Sequence, residues 1–438
     1  MADLKAIALR IFRETLAAID IPATLQRKLA RSGSRIHCGE AGIDLAAFDR
    51  IRVVALGKAS FAMAAGLREV LAPDFHAEGI LVGPAPAPRA LEGFRAFVAG
   101  HPVPNAGSFA AGRAILDLLG TCDERTLVFI LLSGGGSALV EQPLDPDVTL
   151  EDFQALNRLL VTCGAPIDEI NAVRKHLSAV KGGRLAAAAP RATKITLGVS
   201  DVPEGRESAL ASGPTLPDPT TVADACRVVG QYGLLPKLPP AIRAKFEQPA
   251  SIAETPKSDH PAFRRAHFEI LLGLHDLFHH AHRAAEAEGC VTICDNSTDD
   301  WPLAKAADYL LGELARLKRA HPGRRVAVIA DGEVSSPVTG DGVGGRNSAF
   351  VLHCVEKIAG KGVAVLSAGT DGMDGSSPAA GAVADGATLA SARAAGLDPG
   401  DFFRRSDSHT FFKALGGDVE TGPTGNNLRD LRVLLAEE

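Results

Sequence analysis

The chain has 438 residues, more than one typical hydrophobic core organises, so two domains are expected. Lys plus Arg number 46 against 52 Asp plus Glu, a net charge of −6 without the basic excess of a nucleic-acid binder, although a few local cations would still bind a small anion. No apolar run is long enough to span a membrane, and seven scattered cysteines, an odd number, argue for free thiols in a reducing cytoplasm rather than a disulfide framework.

From the N-terminus, MADLKAIALRIFRETLAAID reads as an amphipathic helix with charges throughout and no signal-peptide apolar stretch. Short continuous runs rich in Val, Ile and Leu follow at Ile51–Leu56, Ile80–Val82, Leu127–Leu132, Lys194–Val199, His267–Leu272, Val291–Cys294, Arg325–Ala330 and Val363–Ser367. Runs of that kind suit strands buried on both faces of a parallel sheet. Helical patterns lie between them, at Ala59–Leu71, Ala106–Leu119, Leu150–Leu160, His275–Glu288 and Leu303–Lys318. The alternation predicts an α/β fold: two α/β domains with mainly parallel sheets flanked by helices. Thr149 and Asp152 predict a capping box at the start of one helix. The proline-rich stretch Gly213–Pro261 reads as the end of the first domain and a linker, which puts the domains at 1–255 and 256–438. The last forty residues could pack on either domain.

Several strand ends carry chemistry. In Arg52-Val-Val-Ala-Leu-Gly-Lys-Ala-Ser60 a strand ends at Gly57, a helix starts near Ala59, and Lys58 is either an anion-binding cation at that helix start or a surface lysine at a strand end. The stretch is not a Walker A loop, because Arg52 occupies the first glycine position and Ala59 follows the lysine. Ser133-Gly134-Gly135-Gly136-Ser137 follows a buried strand; its backbone N–H groups can line a concavity that holds a phosphate or a carboxylate. Between Ile170 and Gly183, the residues Ile170, Val173, Leu177 and Val180 form an apolar stripe, while Asn171, Arg174, Lys175 and Ser178 share another helix face, with Lys181 following. That polar face is either an anion-reading surface or a solvated one. Ser200-Asp201 ends a further strand, where Asp201 could orient a hydroxyl or cap a helix.

The second half brings Ala330-Asp-Gly-Glu333, Gly340-Asp-Gly-Val-Gly-Gly-Arg-Asn347 and Ser367-Ala-Gly-Thr-Asp-Gly-Met-Asp-Gly375. Acidic residues beside glycines at strand ends often hold magnesium, and Glu333, Asp371 and Asp374 are the candidates. Arg346, after the glycine-rich loop, suits bidentate recognition of carboxylate or phosphate. Gly340, Gly342 and Gly345 also match G-x-G-x-x-G, the fingerprint of a nicotinamide-dependent reductase, but Pro337 stands where a central strand should precede it.

Taken together the motifs resemble the class II glycerate kinases, the glycerate 2-kinase family whose C-terminal part is the MOFRL domain. The resemblance runs from about Ala6 to Leu435. It rests on Ala55-Leu-Gly-Lys-Ala59, Gly100-His-Pro-Val-Pro104, Leu132-Ser-Gly-Gly-Gly-Ser-Ala-Leu139, Asn171-Ala-Val-Arg-Lys-His176, Gly182-Gly183, Ser200-Asp-Val202, Ala211-Ser-Gly-Pro214, Gly332-Glu333, Gly344-Gly-Arg-Asn347, Thr370-Asp-Gly372, Asp374-Gly375 and Thr421-Gly-Pro-Thr-Gly425. It implies a Rossmann-like N-terminal domain, a MOFRL-like C-terminal domain and an active site in the interdomain cleft. It also implies transfer of the ATP γ-phosphoryl group to a hydroxyl of D-glycerate, usually the 2-hydroxyl, with magnesium. The partners expected are therefore this small substrate and a nucleotide, with no nucleic acid or membrane; a homo-oligomer stays open. Lys58 and Arg346 match residues regarded as active-site residues in the family, and Asp201 is the candidate acceptor of the hydroxyl proton. Family members have often been labelled hydroxypyruvate reductases, which keeps NAD(P)H-dependent reduction of hydroxypyruvate as the alternative. The chain departs from the family pattern at Ser348-Ala349, where Gln-Glu is common, at Gly273-Leu-His275, where Gly-Ser-Asn is common, and at Asn426-Asn-Leu428, where Thr-Asn-Val is common.

Overall fold

A computed structural model describes residues 3–39, 41–200, 202, 205–426 and 428–437. The chain divides into two compact units, Ile21–Gly273 and Met1–Asp20 with Leu274–Glu438.

The unit Ile21–Gly273 starts with a small antiparallel sheet of β1 (Arg31–Ser32), β2 (Arg35–Cys38) and β3 (Ala41–Asp44). Six strands then form one sheet: β4 (Arg50–Leu56), β5 (Ala77–Gly83), β6 (Phe94–Val98), β7 (Thr126–Leu132), β8 (Thr193–Val199) and β9 (Ala266–Leu272). All pair in parallel, in the order β6-β5-β4-β7-β8-β9. Every residue of β7 and β8 is buried, which is why these strands read as continuous apolar runs rather than alternating ones. The strand order reverses between β4 and β7. In an open α/β sheet the crevice outside the carboxyl ends at such a reversal is where ligands bind.

Two expectations change in this unit. Residues 213–261 are not a linker. Helices Val222–Gln231 and Pro240–Glu247 bury Val228, Val229, Ile242 and Phe246 in a cluster with Phe153, Leu156 and Leu160. Pro240 begins its helix, a position where a missing N–H costs nothing. The division also falls after Gly273 rather than at 255/256, because β9 completes the first sheet by pairing with β8. The predicted capping box at Thr149 and Asp152 is formed.

The second unit contains β10 (Val291–Asp295), β11 (Val326–Asp331), β12 (Val363–Gly369), β13 (Gly381–Asp385), β14 (Asp418–Val419) and β15 (Asp430–Ala436), in the order β10-β11-β15-β12-β13-β14. Mainly parallel pairing holds for the first sheet. Here β10 and β11 pair in parallel, but β15 inserts antiparallel between β11 and β12. The tail thus supplies a strand whose seven residues are all buried. Helix Leu4–Ala18 joins this unit rather than the one that follows it in sequence. Its buried face, including Ile7, Ile11 and Phe12, packs on β12, β13, β15 and helix Leu274–Ala287. Arg10 clamps Glu288, and Asn426 Nδ2 donates to Ile19 O at 2.7 Å. Among the described residues no helix is long and apolar enough to cross a membrane. All seven cysteines are free thiols.

Candidate active site

In the unit Ile21–Gly273 the loops after β4 and β7 are laced together. Lys58 N donates to Gly134 O (3.0 Å), Ser133 N to Leu56 O (3.0 Å), and Ala59 N to Ser133 Oγ (3.0 Å). Gly57 sits at φ +120° with no room for a side chain, since a Cβ there would collide with Ser133. The Ser133 hydroxyl is buried and consumed by this lacing, so it does not face a ligand. Lys58, tied to Gly134 through its backbone, is exposed, and Gly136 opens the short helix Gly136–Leu139. Ser137 Oγ lies 2.8 Å from Ser212 Oγ, which donates to Asn171 Oδ1 at 3.3 Å. Ala211 and Ser212 hold φ values of 50° and 61° without being glycine, a strained conformation of the kind that gathers at functional sites. Sequence reasoning passed over Ser212; its only signal was the motif Ala211-Ser-Gly-Pro214.

The basic helix face divides. Helix Ile167–Leu177 buries Asn171 and Lys175, and the Lys175 ammonium pairs with Asp218 at 3.2 Å. Lys181, fully buried, pairs with Glu141, which also accepts from Ser178 Oγ. Burial pushes the Lys181 pKa down, against the pull of Glu141. Burial pushes Asp218 up, but Lys175 and Thr220 outweigh it and hold its carboxyl below the usual range. Lys175 and Lys181 are therefore internal counter-ions and not an anion-reading surface. Arg174 differs. It is half-buried, its Nε has no hydrogen-bond partner, and burial lowers its pKa. Asp201 lies outside the described residues.

In the second unit, the carboxyl ends of β11 and β12 meet the amino end of β15, with Asp331 opposite Leu431 and Gly369 opposite Asp430. Arg346, the first residue of helix Arg346–Ile358, is held by two carboxylates. Its Nε donates to Asp430 Oδ2 at 2.5 Å and its Nη2 lies 2.7 Å from Glu333 Oε1. Burial alone would lower the Arg346 pKa, but Asp430 and Glu333 raise it. Asp374, expected as a metal ligand, instead caps that helix. It accepts from Asn347 N (2.9 Å), Ser348 N (2.8 Å) and Ser348 Oγ (2.6 Å), and burial raises its pKa. An aspartate beside a glycine can equally serve a helix amino end, and here it does. Asp371 Oδ1 accepts from Met373 N at 3.0 Å. Among the described residues no group of three or more His, Cys, Asp or Glu is arranged to hold a metal ion by itself.

The structure adds acids and cations that sequence reasoning missed. Asp331 ends β11 fully buried, and neither carboxylate oxygen has a hydrogen-bond partner. Arg429 Nη1 stands 4.0 Å away while its Nη2 is bound to Asp299. Burial pushes Asp331 up to about 6; Arg429 opposes this and Asp299 adds to it. Arg432, also fully buried, donates to Asp331 O (3.1 Å) and Gly332 O (2.8 Å), with its guanidinium 5.1 Å from the ring of Phe350. The motif Ala330-Asp-Gly-Glu333 carried the signal for Asp331. Asp430 carried none, being one acid in an undivided tail.

The glycine-rich loop before Arg346 also has a local explanation. Gly342 N donates to Arg405 O and Val343 N to Asp407 Oδ1, both at 3.0 Å. Side chains at 340, 342 or 344 would collide with Arg405, Asp407 or Ser408. A side chain at 345 would collide with Asp374, so these glycines serve close packing against residues 405–408 and Asp374, and the G-x-G-x-x-G spacing needs no dinucleotide to explain it.

Residues 7–247 match the family model described as a domain of unknown function, DUF4147, and residues 326–430 match the MOFRL family. The chain is 33% identical to the D-glycerate 2-kinase of Thermotoga maritima over 98% of this chain and 97% of that protein. It is 32% identical to the glycerate 2-kinase of Pyrococcus horikoshii over 99% and 97%. It is 38% identical to an Agrobacterium vitis protein named a putative hydroxypyruvate reductase, over 88% and 87%. Among solved structures, that of the Thermotoga maritima glycerate kinase superposes with a TM-score of 0.84 at 33% identity, covering 99% of both chains.

Proposed function

The chain belongs to the class II glycerate kinases, the glycerate 2-kinase family with a C-terminal MOFRL domain, and from that premise we propose that it phosphorylates the 2-hydroxyl of D-glycerate with ATP. One observation carries the chemical reading: the loops after β4 and β7, at the reversal of strand order, are bonded together through Lys58 N and Gly134 O, and Lys58 is exposed. Phosphoryl transfer asks the protein for positioning and charge neutralisation more than for covalent chemistry. Lys58 supplies a cation there, and the Gly134–Ser137 backbone N–H groups line the place where phosphate or carboxylate oxygens rest. Asn171 joins the same region through the Ser137–Ser212–Asn171 chain, and Arg174 follows one turn further along the same helix. Arg346, oriented by Asp430 and Glu333, is the preorganised cation of the second unit. Asp201, directly after Ser200 in sequence, is the proposed acceptor of the hydroxyl proton.

Magnesium fits Asp331. A buried carboxylate whose oxygens have no partner is costly unless a cation or proton satisfies it. Magnesium needs only one or two protein carboxylates when phosphates complete its shell. Asp331 and Glu333 would hold it, with Asp371 reaching it through water. Bound there, the ion would neutralise charge on the phosphates.

Purified protein given ATP, magnesium and D-glycerate should release ADP and a phosphoglycerate that enolase consumes directly, which identifies the 2-isomer. EDTA should abolish turnover, and added magnesium should restore it. Oxidation of NADH with hydroxypyruvate in place of ADP release would reverse the assignment.

A further inference from the structure

A third loop reaches the glycine turn, and the reading above gives it no task. Residues 99–105 run from the carboxyl end of β6 to helix Ala106–Gly120. They are firmly anchored. Ala99 N donates to Gly83 O (3.0 Å), Gly100 N to Ser108 Oγ (3.2 Å) and Gln154 Nε2 to Pro104 O (2.8 Å), while Asn105 and Ser108 form a reciprocal capping box. The anchored loop lays the imidazole of His101 against Gly135. Its Cδ2 and Nε2 lie 3.0 and 3.2 Å from the point where a Cβ on Gly135 would stand. Gly135 is required by its φ of +84°, and a Cβ there would also press on the imidazole. His101 is exposed, so the imidazole forms a rim of the turn and not part of the core.

Three features of this loop cluster favour negative charge: backbone N–H groups, the amino end of helix Ser60–Leu71 and the Lys58 ammonium. An imidazole carries at least one ring N–H whether it is neutral or charged. We propose that His101 is a further substrate-contacting residue of this enzyme, donating a ring N–H to an oxyanion, phosphate or carboxylate, bound at the Gly134–Gly136 turn. The proposal rests on the kinase reading for the identity of that anion.

The test compares wild type with His101→Ala and His101→Gln, the latter keeping an N–H donor. Loss of a hydrogen bond to a charged group predicts a fall of about 10- to 100-fold in kcat/KM for His101→Ala. His101→Gln should recover at least part of it, and neither melt should move, since the residue is exposed. A rise confined to the KM for ATP assigns the oxyanion to phosphate, and one confined to the KM for D-glycerate assigns it to the carboxylate. Wild-type constants in His101→Ala overturn the proposal while leaving the kinase reading intact. If wild type shows no kinase turnover, that reading fails separately, and His101 is then judged by binding. Its imidazole NMR resonance, identified by its loss in His101→Gln, should shift on titration with inorganic pyrophosphate. No shift overturns the proposal.

Discussion

Buried charge is treated in opposite ways by the two units. In Ile21–Gly273, Lys175 is matched by Asp218 and Lys181 by Glu141, one cation to one carboxylate, all withdrawn from solvent. In the other unit Asp331 is equally buried but its oxygens have no hydrogen-bond partner, and its nearest cation, Arg429, is already bonded to Asp299. A matched buried pair is complete and adds geometry without inviting a ligand. An unmatched carboxylate with a raised pKa is incomplete, and incompleteness of that kind marks a place where a cation or proton is meant to arrive. Lys175 on the basic helix face and Lys181 after it, candidate anion contacts in the sequence, are internal counter-ions. Asp331 is the stronger candidate for a ligand contact.

The largest test removes one member of a matched pair. Lys181→Met strands Glu141 in the interior and should cost about 3–5 kcal/mol of stability in urea unfolding. Pairing it with Glu141→Leu should restore most of the loss. A stable Lys181→Met protein that had lost only activity would show that the pair is not scaffold. Next, Asp331→Asn should stabilise the protein. Asp331 binds its proton more tightly folded than unfolded, with a folded value of about 6, so the wild type loses stability as pH rises from about 4 to about 6. The variant's advantage, up to about 3 kcal/mol, should be full above pH 6 and gone below about 4 in metal-free melts. Magnesium should raise the wild-type melt and not the variant's, and the variant should lose kcat. A destabilised Asp331→Asn at pH 7.5 would end the contrast.

Lys58→Ala should lower kcat by roughly 10²-fold with the melt unchanged, because the side chain is exposed. Arg346→Ala should lose as much rate but also melt earlier, since it leaves the buried Asp430 unpaired. Arg346→Lys should restore the melt more than the rate, as a lysine cannot span two carboxylates in the same fork geometry. The smallest effect belongs to Arg174→Ala, a rise of about 3- to 10-fold in one KM. Unchanged constants would move Arg174 to the scaffold beside Lys175.

What the sequence made legible follows from burial. Strands buried on both faces, such as β7 and β8, appear as unbroken apolar runs and were placed within a residue or two. β6 escaped because it is an edge strand, half-exposed and interrupted by Arg95. β13 escaped because its Gly-Ala-Val-Ala-Asp is small enough to pass for a loop. In β15 the fully buried Arg432 breaks the apolar pattern. At the sites, glycine clusters marked the strand-end loops correctly. The partners that decide each charge did not show, because they are remote in sequence: Asp430 lies 84 residues from Arg346, and Glu141 lies 40 from Lys181. Ser133, Lys175, Lys181 and Asp374 are candidate ligand contacts in the sequence, and each is bonded within the protein itself.

The insertion of β15 has a consequence for how the molecule is made. β11 and β12 are joined only through Asp430–Ala436, which pairs with both, so a nascent chain that has yet to reach Asp430 holds an unfilled slot with two raw strand edges. Helix Leu4–Ala18 waits longer still, since its sheet is translated after the whole of Ile21–Gly273, a delay on the order of tens of seconds at ordinary synthesis rates. During that interval its apolar face is a natural client for a chaperone. The same strand also brings the carboxylate that seats Arg346, so a ribosome that stalls before it releases a chain unable to assemble that cation's setting. In this unit, finishing the fold and arming the chemistry are one event.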